Sequence, residues 1–294
     1  MKIAVTPFSI QSIPKLMESG ADIFIMGNEE YANRLVHSFS TIELQKASTM
    51  IDEAGKELYI SLNIMMHNKD IEDVKEFLSF IKTLPIKGII FGEVGVYEIA
   101  KELGMEDLLI YNPETLNTNS YDPIFWKELG IKGLTISKEI TLEDLLEISQ
   151  DSPLELSMIG HGHLNMFHSR RPLIENFFKY QRSEYEDLIN NRNLRIVEEI
   201  RNESYPIFQD RHGTHIFRDK ALESFQEVVT IAKALDVFII DGIFKDTDYL
   251  VDVVQAYKTL LSNPKQTLAE ELSEQYKEDH DSGFLYKKTV YDKY

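Results

Sequence analysis

The chain predicts an α/β barrel of the TIM type, and three observations predict it. Short apolar runs of four to six residues alternate with amphipathic helical stretches, the alternation yields eight strand candidates, and no GxGxxG or P-loop signature competes. Alternation of this kind implies parallel strands joined by crossover helices, and eight units in 294 residues favour a closed barrel over an open doubly wound sheet. The first strand spans residues 3–5 and its helix ends at Gly20. Strand 23–26 precedes a helix at 41–54, strand 58–63 a helix at 71–84, and strand 88–91 a helix at 96–103. Strands 108–111 and 133–136 precede helices at 123–129 and 142–148, with Ser, Thr or Asp near the helix starts as capping residues. Residues 154–159 form the seventh strand and 237–240 the eighth, with a helix at 221–235 between them. After the seventh strand, residues 172–218 read as an insertion made of a charged helix at 183–202 and a β-hairpin around His212 and Gly213. The barrel thus occupies residues 1–261, and the acidic, then aromatic stretch 262–294 is a short C-terminal appendage.

Composition narrows the function classes. With 43% hydrophobic residues the chain has material for a full core, and no apolar run approaches the roughly 18 residues of a membrane span. The start MKIAVTPF lacks the basic and long apolar regions of a signal peptide, so the expected location is cytoplasmic, with no membrane partner. Zero cysteines exclude disulfides, a cysteine nucleophile, thiolate zinc and a thiolate-bound iron–sulfur cluster within this chain. A net charge of −18 repels polyanions at long range and argues against DNA. Residues 161–220 depart from that background, carrying ten Lys or Arg against nine Asp or Glu.

That locally balanced region contains the densest chemistry, MIGHGHLNMFHSRRPLIENFFKY from Met158 to Tyr180. Barrel chemistry gathers where strands end and βα loops begin. Polar residues at those positions are Asn28, Glu29, Asn63, Glu93, Asn112, Glu114, Glu139, His161 and Asp241, which together describe a polar, acidic cup. Each is equally a candidate helix cap. His161, His163 and His168 with Glu139 or Asp241 have the donor types that suit zinc or iron, but their spacing matches no HExxH helix, so no metal is assigned. Arg170 and Arg171 offer planar forks for an anionic substrate group, or pair with an acidic neighbour such as Glu175. Ser169 beside His168 is no nucleophile–base pair, since adjacent residues do not easily take those positions, and no GxSxG is present. Phe177, Phe178 and Tyr180 are expected to pack the insertion onto the barrel.

The segments GADIFIMGNEEYANRL with FSTIEL, LYISLN, SKEITLEDL, LELSMIGHGHLNMFHSRRPL, FIIDGI and DYLVDVVQAYKTL follow one another in an order that resembles the collagenase-like peptidase family, peptidase family U32. The resemblance spans nearly the whole chain and implies a TIM-type barrel. Despite the family name, it implies oxygen-independent hydroxylation, of tRNA wobble uridine, of a ribosomal cytidine or of rings in anaerobic ubiquinone biosynthesis. Members that do this carry an iron–sulfur cluster, with prephenate implicated as oxygen donor in the RNA reactions. Residues carried over by the resemblance are Asn63, Glu139 within Lys138-Glu139, His161-Gly162, Asp241-Gly242 and Arg34.

The sequence departs from the family where the cluster would be held. Aligning the family's His-Gly with His161-Gly162 places Asn165 and Pro172 at cysteine positions, and downstream cysteines are absent too. This form resembles the short, cysteine-free bacterial branch, similar to the smaller of two paired tRNA hydroxylation proteins. The expected function is participation in wobble-uridine 5-hydroxylation, with His161, Glu139, Asp241 and Asn63 catalytic and Arg34, Glu93, His163, His168, Arg170 and Arg171 binding substrate. No cofactor is expected in this chain, prephenate is the implied oxygen donor, and a longer cluster-bearing paralogue and tRNA are the implied partners. Two alternatives stand beside it: a collagenase-like peptidase using His161 with Glu139 or Asp241, and a non-catalytic partner subunit.

Overall fold

Runs rich in Ile, Leu and Phe form the strands because β-branched and aromatic side chains pack well on a pleated surface. In order these are β1 (Lys2–Val5), β2 (Ile23–Gly27), β3 (Glu57–Leu62), β4 (Gly88–Phe91), β5 (Leu109–Tyr111), β6 (Gly133–Thr135) and β7 (Glu155–His161). Between them run α1 (Ser12–Ser19), α2 (Thr41–Glu53), α3 (Ile71–Ile81), α4 (Val94–Glu102), α5 (Tyr121–Glu128) and α6 (Leu142–Gln150). Ser40 with Glu43 and Thr141 with Asp144 form reciprocal capping boxes that start α2 and α6. The chain then leaves the barrel to build β8 (Asn165–Ser169), α7 (Leu173–Gln181), β9 (Arg195–Glu198), β10 (Glu203–Asp210) and β11 (Gly213–Phe217). It returns through β12 (Ala221–Leu222) and α8 (Val228–Ile231) to β13 (Val237–Ile240), α9 (Thr247–Ser262), α10 (Leu268–Tyr276) and β14 (His280–Asp281). This computed structural model describes residues 1–183, 188–200, 203–264, 268–277 and 279–287.

β13 pairs in parallel with both β1 and β7, so the order β1-β13-β7-β6-β5-β4-β3-β2 closes into the eight-stranded barrel expected from the sequence. Alternation divides the apolar residues between two cores. Ala4, Ile23, Tyr59, Ile90, Ile110, Val237 and Ile239 fill the barrel interior, while the larger cluster packs strands against helices. Among the described residues no helix is long and apolar enough to cross a membrane.

One seam breaks the alternation. Ile159 pairs with Ile239 but His161 pairs with Ile240, leaving Gly160 as an extra residue on β7. Only glycine fits there, since a Cβ would lie 1.9 Å from Phe238 Cε2. The bulge reverses the parity of the strand, so His161 faces the helices instead of the barrel interior.

The insertion is a four-stranded antiparallel sheet, β8-β11-β10-β9, with α7 beside it. Its hairpin, expected around His212 and Gly213, turns through Arg211 and His212 with Gly213 as the first paired residue of β11; Gly213 has φ +130°, and a Cβ there would sit 2.0 Å from the Ser169 carbonyl. The expected helix at 183–202 is corrected to a strand over Arg195–Glu198, because Ile196 and Val197 pair with Tyr205 and Ser204 of β10; positions 184–187 and 201–202 lie outside the described residues. The expected helix at 221–235 is likewise reduced to α8, because Ala221 and Leu222 pair with His280 and Asp281 of the tail. Phe208 and Phe217 join Ile243, with Val36 and Phe244 packed against them, and this apolar contact docks the sheet over the C-terminal end of the barrel. Phe177 and Tyr180, expected at that contact, are instead 55% and 83% exposed. The sheet's own inward aromatics do that packing.

Candidate active site at the barrel mouth

A narrow cavity of about 90 Å³ opens at the C-terminal ends of the strands. Ile25, Ile90, Ile159 and Ile239 form its floor, the uppermost inward layer of the barrel. Thr6, Ser61, Asn63, Asn112, Glu114 and Asp241 form polar walls. Its roof comes from the loop around Asn33 to Phe39 and from His163, Asn165 and Phe217 at the base of the inserted sheet.

A charged chain crosses the cavity. Arg34 forms an ion pair with Glu114 Oε1, and Lys138 Nζ lies 2.6 Å from Glu114 Oε2. The Arg34 and Lys138 side chains are only 11% and 6% exposed, so the Glu114 carboxylate is shared by two cations largely withheld from water. Burial opposes ionisation of Glu114, but Arg34 and Lys138 overcome it and hold the carboxyl down to about 2. Arg34 sits in the left-handed region at φ 53°, a conformation costing a non-glycine residue about 1 kcal/mol, and its N–H donates to Asp210 Oδ2 at 3.0 Å. Asp210 also lies 3.0 Å from His215 Nε2, which links the inserted sheet to the mouth.

Asp241 is the other carboxylate of the cavity. Its Oδ1 accepts the Ile243 N–H at 3.0 Å, and no salt bridge to it is formed among the described residues. Burial raises its pKa above the ordinary aspartate value; the Ile243 N–H, Arg34 and Arg192 counteract this only in part, and Glu114 adds to it. A carboxyl raised in this way, over an apolar floor and beside amides, suits proton transfer to or from a bound molecule.

Of the residues given a catalytic or substrate-binding role from the sequence, Asn63, Arg34, His163 and Asp241 meet at the cavity, joined there by Asn112 and Glu114 from the polar strand ends. Asn63 shapes the roof as well, since Asn33 donates its N–H to Asn63 Oδ1 at 3.0 Å and its Nδ2 hydrogen to the Asn63 carbonyl at 3.1 Å. His163 Nδ1 lies 2.9 Å from the Arg218 carbonyl, so Nδ1 carries the proton.

His161 does not line the cavity, and its expected place there is corrected by the bulge. It is fully buried on the outer side of β7, with Nε2 2.7 Å from Tyr249 Oη and Nδ1 3.1 Å from Tyr257 Oη of α9. Tyr249 Oη lies in turn 3.1 Å from His280 Nε2, so this network fastens the C-terminal appendage to the barrel. Glu139 is also outside the cavity lining; Lys138, its neighbour in the same turn, points to Glu114, and the Glu139 N–H donates to Ser137 Oγ. Glu93 is the N-cap residue of α4 and does not line the cavity.

His168 stacks on His215 with ring centroids 4.5 Å apart, inside the inserted sheet. Burial and the neighbouring His215 push its pKa down to about 4. Arg170 and Arg171 are exposed and lie off the cavity; Arg170 donates to the Met65 carbonyl at 2.9 Å. Glu175 pairs with Lys179 and accepts from Gln209 rather than from either arginine. Among His, Cys, Asp and Glu of the described residues no group of three could hold a metal ion. Glu114 had been legible only as one polar strand end among nine, and Lys138 only as a neighbour of Glu139.

The sequence profile of peptidase family U32 matches residues 9–293. The chain belongs to peptidase family U32. It is similar to tRNA hydroxylation protein P2 of Bacillus subtilis, at 29% identity over 310 residues covering 99% of both chains. It is also similar to tRNA hydroxylation protein P1 of Bacillus subtilis, at 20% identity over 86% of this chain and 61% of the relative. A solved U32 peptidase structure shares the fold, with a TM-score of 0.51 and 12% identity over 82% of this chain and 92% of that one.

The iron–sulfur cluster implied by the family resemblance does not fit the residues present. Asn165 Nδ2 donates to the Phe167 and Ile216 carbonyls, Pro172 is the exposed residue preceding α7, and the chain contains no thiolate donor.

Proposed function

We propose that this U32 protein takes part in 5-hydroxylation of tRNA wobble uridine, receiving the uracil ring at the barrel mouth. The observation that carries this reading is the end-to-end similarity to tRNA hydroxylation protein P2, which leaves no large part of either chain unmatched. The cavity supports it chemically. An isoleucine floor suits the face of a flat ring, Asn63, Asn112 and Asn165 suit its amide edges, and Asp241 suits a proton that must leave or arrive.

Replacing a ring C–H by C–OH is a two-electron oxidation, and the residues of this chain supply no oxidant. The oxygen comes from a small hydroxylated donor, whose C–O bond breaks and whose C–OH is reduced overall to C–H as it takes the two electrons, with prephenate as the implied compound and no oxygen gas involved. The redox chemistry belongs to a longer, cluster-bearing paralogue. The role assigned to this chain is to hold the nucleotide and handle its proton through Asp241, while Arg34, held by Glu114, which Lys138 supports from outside the lining, sets the cationic side of the cavity.

Mass spectrometry of nucleosides in total tRNA tests this. Deleting the gene together with its longer paralogue is expected to abolish 5-hydroxyuridine-derived nucleosides, and deleting it alone to give at least partial loss. Unchanged nucleosides in the double deletion, or cleavage of gelatin by the purified protein that Asp241→Asn removes, would overturn the reading in favour of a peptidase.

A further inference from the structure

A second cavity, of about 270 Å³, lies on the other side of the roof loop from the mouth. Leu35, Val36 and His37 line both, so the two are separated by one stretch of chain. Arg192 forms the second cavity's wall. Its guanidinium is partly buried over the face of Phe208, 4.5 Å from the ring centroid, and its hydrogen bond goes to the Leu35 carbonyl. No carboxylate lies within ion-pairing distance of it among the described residues, although a buried cation ordinarily requires one. A guanidinium has five N–H donors, and one carbonyl with one ring face leaves most of the fork unused.

The acids nearby attract Arg192 without pairing with it: Asp241 and Asp210 act on it across space, and Glu29, which also lines the cavity, forms no ion pair with it among the described residues. Asp210 lines the cavity, but its Oδ1 accepts the His212 N–H at 2.8 Å while its Oδ2 accepts the Arg34 N–H and lies against His215. Asp241 is part of the mouth. Arg211 and Asn190 add further donors on the cavity side, with Arg211 shared with Glu30.

We infer that this cavity is a phosphate-binding subsite, in which the Arg192 fork takes a phosphate oxygen pair while the neighbouring mouth holds the base. A phosphodiester adjoining the target nucleotide is the source that fits the spacing of one loop between the two cavities, and this choice of source rests on the tRNA hydroxylation reading. Free inorganic phosphate has the same chemistry. Burial of Arg192 in an otherwise acidic protein is then explained by a charge that arrives with the ligand.

Binding of an anticodon stem-loop RNA to the full chain tests the inference. Arg192→Gln is expected to weaken binding about tenfold and to lower the dependence of affinity on salt by about 0.7 in the log–log slope. Arg192→Lys should keep the slope while losing affinity, because charge remains and the fork does not. Lys127→Gln, in the last turn of α5 at the opposite end of the barrel, should change neither. Neutral methylphosphonates placed one at a time along the loop make the result independent of any folding defect. One position should weaken binding to the wild-type protein and have no effect with Arg192→Gln.

Orthophosphate forms the second arm. Thermal stabilisation of the wild-type protein by orthophosphate, absent in Arg192→Gln, together with no RNA effect, would support the phosphate site with free phosphate as its source and would count against the RNA reading. RNA binding that is indifferent to Arg192 and to every methylphosphonate, with no orthophosphate stabilisation, overturns the subsite and leaves the hydroxylation reading to the nucleoside measurement.

Discussion

Gly160 and Phe238 decide which way His161 faces. The Phe238 ring occupies the space that any side chain at position 160 would need, and the bulge at Gly160 turns His161 away from the barrel interior toward Tyr249 and Tyr257. Gly160→Ala is therefore expected to destabilise the protein by about 2 kcal/mol or more through overpacking, measured by urea denaturation. A neutral effect would mean that the seam accommodates a side chain.

His161→Ala separates a structural histidine from one that acts at the mouth. Removing a buried ring that meets two tyrosine hydroxyls leaves a cavity and unsatisfied groups, at a cost of about 3 kcal/mol. Restoration of tRNA hydroxylation per folded molecule should survive. Full stability with lost restoration would return His161 to the catalytic set.

These two residues also mark the limit of what the sequence discloses. The eight strands were legible because apolar runs and helix caps recur at regular spacing, Asn63 and Asp241 were legible because strand ends in a barrel face one mouth, and Arg34 was legible only through the family resemblance. His161 was misplaced by that same rule, since a single extra glycine inverts side-chain parity and carries no periodic signal. Lys138 and Glu139 show the same limit in a turn, where neighbours diverge. Residues 195–198 were read as part of a charged helix over 183–202, whereas pairing with β10 makes them a strand. Arg192 was visible only as one charge on that supposed helix.

Glu114 gives a pH signature. Its carboxyl is held near 2 in the folded protein against about 4.5 in the unfolded chain, so its contribution to stability is present above pH 4.5 and is lost as pH falls toward 2. Glu114→Gln should remove on the order of 3 kcal/mol at pH 7, because Arg34 and Lys138 stay buried without their shared carboxylate. Urea denaturation from pH 7 down to pH 2 should show the wild-type and variant curves converging across that window. Parallel curves would show that the ion-pair chain contributes nothing.

The absence of thiolates has a direct spectroscopic consequence. Protein purified without oxygen is expected to be colourless and to lack iron and sulfide at cluster stoichiometry, since Asn165 and Pro172 cannot replace anionic sulfur. Mixing it with the longer paralogue should leave any cluster absorbance with that partner. Iron and sulfide bound at cluster stoichiometry by this chain alone would contradict the assignment of redox chemistry elsewhere.

Asp241 should trade stability against function. Its pKa is raised by burial, so the folded state holds the carboxylate less easily than the unfolded chain does, and this group's contribution to stability falls as pH rises above the unfolded value. Asp241→Asn keeps an acceptor for the Ile243 N–H and removes the titrating carboxyl, so it should stabilise the protein at pH 7. The gain should disappear below the unfolded carboxyl value near pH 3.8, where the wild-type residue is protonated in both states. In the double-deletion strain the same variant should fail to restore hydroxylated uridine, because an amide neither takes nor gives the proton. A stabilised variant that restores hydroxylation fully would remove Asp241 from the chemistry, and a destabilised one would make it part of the framework, in which case the proton has to move through another group at the mouth.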